Sequence, residues 1–242
     1  MRQSRIFTPQ PLSGQTTLVL DGSAGHYLAR VLRLSKGDAI ILFNGDGADY
    51  PAVISEIHSQ RVTVRITGST SPANESPLQI TLAQAVCRGE RMDYVLQKAT
   101  ELGVVCFQPL ISQRVEVRLD AARQEKRMLH WQGVVTSACE QSGRAIVPEV
   151  KSPLALADWL GAAEFPVSLV LDPLAGDRLT GVAIASKSVA VLVGPEGGFT
   201  DEELKAARAK GVLAVSMGPR VLRTETAGPA AIAVLQARLG DF

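Results

Sequence analysis

Along this chain of 242 residues the apolar positions follow two different periods, and the change falls near residue 70. Before it, short runs alternate polar with β-branched or aliphatic residues. Tyr50 to Ile57 and Arg61 to Thr67 have the period of two that half-buried strands show, and Thr16 to Leu20 and Ala39 to Phe43 are short apolar runs. Asn44-Gly45-Asp46-Gly47, between two such runs, is a hairpin signal. One short helix, from about Ser23 to Leu32, interrupts them. Strands at this spacing predict a small barrel.

The stretch Gly68 to Pro77 is polar, holds two prolines and has no apolar period, so it reads as a linker. Beyond it, strands alternate with helices. Leu78 to Val86 and Val104 to Leu110 read as strands. Met92 to Leu102 between them reads as a helix, with Gly103 where a C-terminal cap belongs. A long helix is expected from Asp120 to about Ser142, with Met128, Trp131, Val135 and Ala138 on one face. Val167 to Leu171 and Val189 to Val193 suit buried parallel strands. Thr200-Asp201-Glu202-Glu203 is a capping box opening a helix that stops before Gly211. A strand at Leu213 to Ser216 and a helix from Thr224 to Leu239 complete an α/β pattern with a mainly parallel sheet.

Composition narrows the class. A 46% hydrophobic and 20% charged chain fits a soluble globular protein and not a disordered one. No apolar run approaches the roughly 20 residues of a membrane-spanning helix. The N-terminus has positive charge but no apolar stretch, so no signal peptide is expected and a cytoplasmic location is. Cys87, Cys106 and Cys139 are isolated, which argues against disulfides and zinc. His26, His58 and His130 are equally scattered, so no metal is expected. The net charge of +1 does not announce a nucleic-acid binder, and RNA binding must rest on local basic patches.

Two segments carry chemistry. In Val191 to Thr200 a buried strand ends in Gly194-Pro195-Glu196-Gly197-Gly198 and feeds a capped helix. Three glycines, a proline and a carboxylate exceed what a plain turn requires. Glycine lets backbone approach a ligand, and the carboxyl end of a strand is where open α/β sheets bind one. Neither the P-loop nor the Rossmann spacing is present. The second segment, Met217-Gly218-Pro219-Arg220-Val221-Leu222-Arg223-Thr224-Glu225-Thr226-Ala227, also links a strand to a helix. Helix capping accounts for its threonines. It does not account for Arg220 and Arg223.

Together these two segments resemble the RsmE family, 16S ribosomal RNA uridine-N3 methyltransferases of the SPOUT superfamily. His26-Tyr27-Leu28-Ala29-Arg30-Val31-Leu32-Arg33-Leu34 resembles the family's N-terminal motif. Gln97 to Val104 and Ala138 to Arg144 resemble its central ones. The resemblance spans nearly the whole chain and is most specific in the two C-terminal motifs. It implies a PUA-like β-barrel at 1–70, a linker at 71–77 and a knotted SPOUT methyltransferase domain at 78–242. The knot is an exception to the usual rule against knots. It also implies a homodimer, S-adenosyl-L-methionine as cofactor, and 16S rRNA of the small ribosomal subunit, in its decoding region, as substrate. Neither a membrane nor a metal is expected as a partner.

By the same resemblance three loops clasp the cofactor. The first is Leu171, Asp172 and Pro173. The second holds Leu192, Gly194, Pro195, Glu196 and Gly197. The third holds Met217, Gly218, Leu222, Arg223 and Thr226. Uracil N3 carries a proton at neutral pH, so methylation there needs a base or stabilisation of the uracil anion. Arg223 is the first candidate, as an electrostatic stabiliser. Glu225 and Glu196 are candidates for a base or for orienting an arginine, and a helix-terminal carboxylate is an equally good reading of Glu225. N3 lies on the Watson–Crick edge, so the target must be unpaired or flipped out. Arg5, Arg30, Arg33, Arg88, Arg91, Arg114 and Arg144 are candidate RNA contacts, each to be weighed against a solvated surface arginine. Arg30 and Arg33 stand three apart on one expected helix face. Two other readings stay open: a non-catalytic RNA-binding ribosome assembly factor, and a related SPOUT methyltransferase acting on another RNA.

Overall fold

The structure, a computed structural model, describes residues 3–116, 121–162 and 166–242. Its contacts divide the chain into two units. One comprises the residues up to Glu75 together with Cys139–Val147, and the other Ser76–Ala138 with Pro148–Phe242.

The first unit contains β1 (Ser4–Phe7), β2 (Thr17–Leu20), α1 (Gly22–His26), β3 (Ala39–Phe43), β4 (Tyr50–His58) and β5 (Arg61–Ile66). They form one five-stranded sheet in the order β1-β3-β4-β5-β2. Only β1 and β3 pair in parallel. Leu18, Leu20, Ile40, Leu42, Ile54, Val62 and Val64 alternate into a core shared with Ile6 and Leu28, as the period of two requires.

The expected helix at Ser23 to Leu32 is different in detail. α1 is one turn long and passes into a π-turn over Tyr27–Val31. Arg33 lies beyond it with φ 53°. Arg30 and Arg33 are both exposed, but they do not share a helix face, because the chain has left the helix before Arg33.

Two of the arginines expected to meet RNA are buried inside this unit. Arg5 pairs with Asp49 and donates to the Arg144 carbonyl at 3.0 Å. Its guanidinium also sits 4.9 Å from the centre of the Phe43 ring. Arg144 pairs with Glu75 at 2.6 Å. A buried guanidinium must be paired, and these pairs commit both side chains to the fold. The 71–77 segment is likewise not a free linker. Asn74 Nδ2 donates to the Gly143 carbonyl at 2.7 Å, Glu75 holds Arg144, and buried Ser76 donates to Gln236 Oε1 at 2.7 Å.

The second unit begins with β6 (Gln79–Ala85), α2 (Arg91–Glu101), β7 (Val104–Ile111) and α3 (Ala121–Ser142). The expected helix start at Asp120 lies outside the described residues. Gly103, with φ 88°, closes α2 as expected. Two-residue strands β8 (Glu149–Val150) and β9 (Leu154–Ala155) follow, then α4 (Leu156–Ala162) and β10 (Val167–Leu171). β11 (Ser188–Val193), α5 (Asp201–Ala209), β12 (Leu213–Val215) and α6 (Thr224–Leu239) end the chain. The sheet order is β12-β10-β11-β6-β7-β8, with β9 on β7. Every pairing is parallel. β11 therefore enters between two earlier strands. Ala190 and Leu192 pack on one face with Trp159 and Leu160 of α4 and Ala207 of α5. Gly228 of α6 lies over Leu82 and Gln84, with room for no more than van der Waals contact. No described helix is long and apolar enough to cross a membrane.

Candidate active site

Because the sheet is parallel, the carboxyl ends of β10, β11 and β12 lie along one edge. The loops that leave them wall a cavity of about 650 Å³, well inside the size range of small-molecule sites.

Leu171, Asp172 and Pro173 form the first wall. The Asp172 carboxylate is buried and fully used: Oδ1 accepts from the Leu174 N–H at 2.9 Å and Oδ2 from Arg208 at 2.8 Å. Asp172 shapes its loop rather than reaching a ligand through its charge.

The second wall is a tight turn, closed by the Gly198 N–H on the Pro195 carbonyl at 2.9 Å. A Cβ at Gly194 would come within 3.1 Å of the Phe199 nitrogen and 3.2 Å of Gly198 Cα, so any larger residue there would crowd the backbone of the turn. Gly194, Pro195 and Glu196 face the cavity. Leu192 does not, being fully buried in β11 with its backbone between β6 and β10. Gly197 turns away, its carbonyl accepting from Arg114 at 2.6 Å. The capping box behind the turn is present. Thr200 Oγ1 accepts from the Glu203 N–H at 3.2 Å, and the Glu203 carboxylate from the Thr200 N–H at 2.8 Å.

Met217, Leu222 and Arg223 lie on the third wall, while Gly218 and Thr226 do not line it. Gly218 has φ 112°, a conformation only glycine adopts without strain. The N–H groups of Gly218, Arg220, Val221 and Leu222 donate to no backbone carbonyl among the described residues. These amides are left to water or to a ligand, and Arg220, Val221 and Leu222 border the cavity.

The Thr224 hydroxyl does not cap α6. Arg223 is the N-cap residue and has no side-chain capping bond. Thr224 Oγ1 instead donates to the Gly194 carbonyl at 2.6 Å and accepts from buried Gln84 Nε2 at 3.0 Å. One polar chain therefore ties β6, the glycine turn and the start of α6 together. Gln84 was not singled out in the sequence. The signal was there: an amide flanked by Leu82, Ala83, Ala85 and Val86 near the end of an apolar strand, which stays buried only if hydrogen-bonded.

All three candidate catalytic residues, Arg223, Glu225 and Glu196, border the cavity, and Arg91 and Arg114 join them. Arg91 donates to Glu196 at 2.8 Å and its Nε lies 3.8 Å from Glu225. Partial burial opposes ionisation of Glu196. The hydrogen bonds it accepts, from the Arg88 N–H at 3.1 Å and from Arg91, outweigh that and hold its carboxyl below the usual range. An acid held ionised in this way is a weak base, so Glu196 is better suited to orienting Arg91 than to taking up a proton. Burial pushes the neighbouring Cys87 thiol up to about 11, which removes it as a nucleophile. Among the described residues no three ligating side chains come together to hold a metal. Of the expected RNA contacts, Arg88, Arg91 and Arg114 gather here, with Arg88 paired to Glu116.

Residues 74–236 match the family of RNA methyltransferase domains, and residues 20–67 match the RNA methyltransferase PUA domain. The chain is 33% identical over 242 residues to a ribosomal RNA small subunit methyltransferase E from Buchnera aphidicola, covering 100% of this chain and 98% of that one. It is 35% identical over 232 residues to the protein of that name from Synechocystis, with 93% and 74% covered. The solved structure of a ribosomal RNA small subunit methyltransferase E from Neisseria gonorrhoeae bound to S-adenosyl methionine superposes with a TM-score of 0.95, at 40% identity and full coverage of both chains.

Proposed function

Since the chain belongs to the ribosomal RNA small subunit methyltransferase E family, we propose that it methylates N3 of a uridine in the decoding region of 16S rRNA, using S-adenosyl-L-methionine. The observation that carries this reading is the cavity. It combines donor-rich loop backbone with an arginine–glutamate cluster at one edge. The cavity suits the cofactor: Leu171, Met217 and Leu222 offer apolar surface to an adenine, the amides of the third loop offer hydrogen bonds, and Glu196 and Glu225 favour a positive centre.

When bound, the cofactor supplies a methyl electrophile on a sulfonium. The three loops would fix its orientation and exclude water, as alignment of the reacting atoms requires. Glu225 takes the N3 proton. Arg223 stabilises the negative charge on the uracil oxygens without needing to change protonation. Thr224 and Gln84 hold the glycine turn in place beneath them. The N-terminal unit would hold RNA through exposed Arg30 and Arg33. The insertion of β11 between β10 and β6 supports the trefoil knot that the family resemblance implies.

The test is methyl transfer from labelled S-adenosylmethionine to unmethylated small subunits, followed by nucleoside analysis. Label recovered as 3-methyluridine in 16S rRNA is the expected result. Cofactor binding without label in small subunits, free 16S rRNA or tRNA would replace this reading with a non-catalytic RNA-binding assembly factor. Label in tRNA or on a ribose hydroxyl would keep the chemistry and change the substrate.

A further inference from the structure

Beside the cofactor cavity lies a second pocket of about 340 Å³. Arg88 and Arg91 line it at the entry to α2, and Gln113, Arg114 and Glu116 line it after β7. The glycine turn closes it with Glu196 and Gly197. Arg91, Arg114 and Glu196 belong to both pockets, so the two share a wall.

We propose that this second pocket is the acceptor compartment, taking the extruded uridine of the RNA together with its 5′ phosphate. The proposal rests on the methyltransferase reading above and adds where its substrate nucleotide sits. Four observations carry it. The volume falls in the small-molecule range and is about half that of the cofactor cavity, as a single nucleotide beside a larger cofactor requires. The walls hold three arginines against two glutamates, a positive excess that suits one phosphodiester charge. Arg88 and Arg91 are 57% and 40% exposed and held by carboxylates. Exchanging a half-solvated carboxylate for a phosphate oxygen therefore costs little desolvation. Finally, the shared wall is where Arg91 stands between Glu196 and Glu225, so a base in this pocket lies against the wall behind which Arg223 and Glu225 line the cofactor cavity.

Gln113 supplies the recognition element. Its side-chain NH2 can donate to a uracil carbonyl oxygen, which leaves N3 free for the proton acceptor and the methyl group. Its backbone is held independently: the Gln113 N–H donates to Glu203 Oε1 at 2.8 Å, and Glu203 is itself locked in the capping box. The Gln113 side chain is exposed, so it can be replaced without disturbing that anchor.

The test uses the full chain, 4-thiouridine 5′-monophosphate as a photo-crosslinking probe, and S-adenosylhomocysteine in the cofactor site. The expected adducts map to peptides containing Arg88 to Arg91 or Gln113 to Glu116, and uridine 5′-monophosphate competes for them. Gln113→Trp, which fills the pocket, should abolish the adduct and lower methyl transfer to small subunits about a hundredfold. Calorimetric affinity for S-adenosylmethionine and the thermal midpoint should stay at wild-type values. Adducts elsewhere, no competed adduct at all, or a Gln113→Trp enzyme with normal transfer would each overturn the compartment. Absence of any S-adenosylmethionine binding by the wild-type chain would instead overturn the methyltransferase reading, which separates the two failures.

Discussion

Arginines in the two units do opposite work. In the N-terminal unit the Arg5 and Arg144 side chains are 7% and 4% exposed, each paired with a carboxylate and packed into the fold. In the C-terminal unit Arg88 and Arg91 are half exposed at a pocket rim, and Arg223 is exposed and pairs with no carboxylate among the described residues. Residue type is the same in both places. What differs is the solvent each guanidinium has given up. A desolvated cation is locked to its partner, because separating them leaves a charge stranded. A half-solvated one exchanges partners readily, and so can meet an anion that comes and goes.

The contrast breaks first, and most severely, at Arg144. Arg144→Ala removes the partner of Glu75 from a buried position and should destabilise the N-terminal unit by about 3–5 kcal/mol, read as a lower midpoint in urea. Below that transition the affinity for S-adenosylmethionine should be unchanged, since the cavity is built wholly from the other unit. A stability loss under 1 kcal/mol would show that burial does not distinguish the two sets. Arg223→Ala should reverse the pattern. Its urea midpoint should stay put, while kcat for methyl transfer falls about 10²–10³-fold, the usual effect of removing one stabiliser of developing negative charge. A loss confined to KM would make Arg223 a binding residue and move charge stabilisation to Arg91.

Long elements were legible because they carry enough positions to display a period. β4, β11, α2 and α6 emerged close to their observed bounds. β1, β8 and β9 were not expected: β8 and β9 have two residues each, too few to show alternation, and the Ser4-Arg5-Ile6-Phe7 of β1 offers one short apolar pair beside an arginine. The loops of the site were legible because glycine, proline and charge in one short segment serve no packing purpose. Arginine roles were not. Arg5 and Arg144 owe theirs to Asp49 and Glu75, which stand 44 and 69 residues away in the chain, and no local pattern reports such a partner. The grouping of Cys139–Val147 with the N-terminal residues was hidden for the same reason.

The finest probe of the contrast is Glu196, which pairs with a half-exposed arginine. Its carboxyl lies below the ordinary range in the folded protein, burial being outweighed by the N–H groups of Arg88 and Arg91. A depressed acid favours folding wherever it is ionised in both states. That contribution is therefore complete above the ordinary carboxylate range and disappears as pH falls through the folded-state value. Glu196→Gln keeps an acceptor for the Arg88 N–H but loses the charge. At neutral pH it should be less stable by only about 0–1 kcal/mol, the usual worth of an exposed pair, and wild type and variant should converge in acid. Urea titrations at neutral pH and again below the carboxylate range would measure both ends. A gap as large as that of Arg144→Ala would mean that the rim arginines are as firmly committed as the buried ones. They would then be poorly suited to release a carboxylate for a phosphate. A small gap that closes in acid leaves them free to do so.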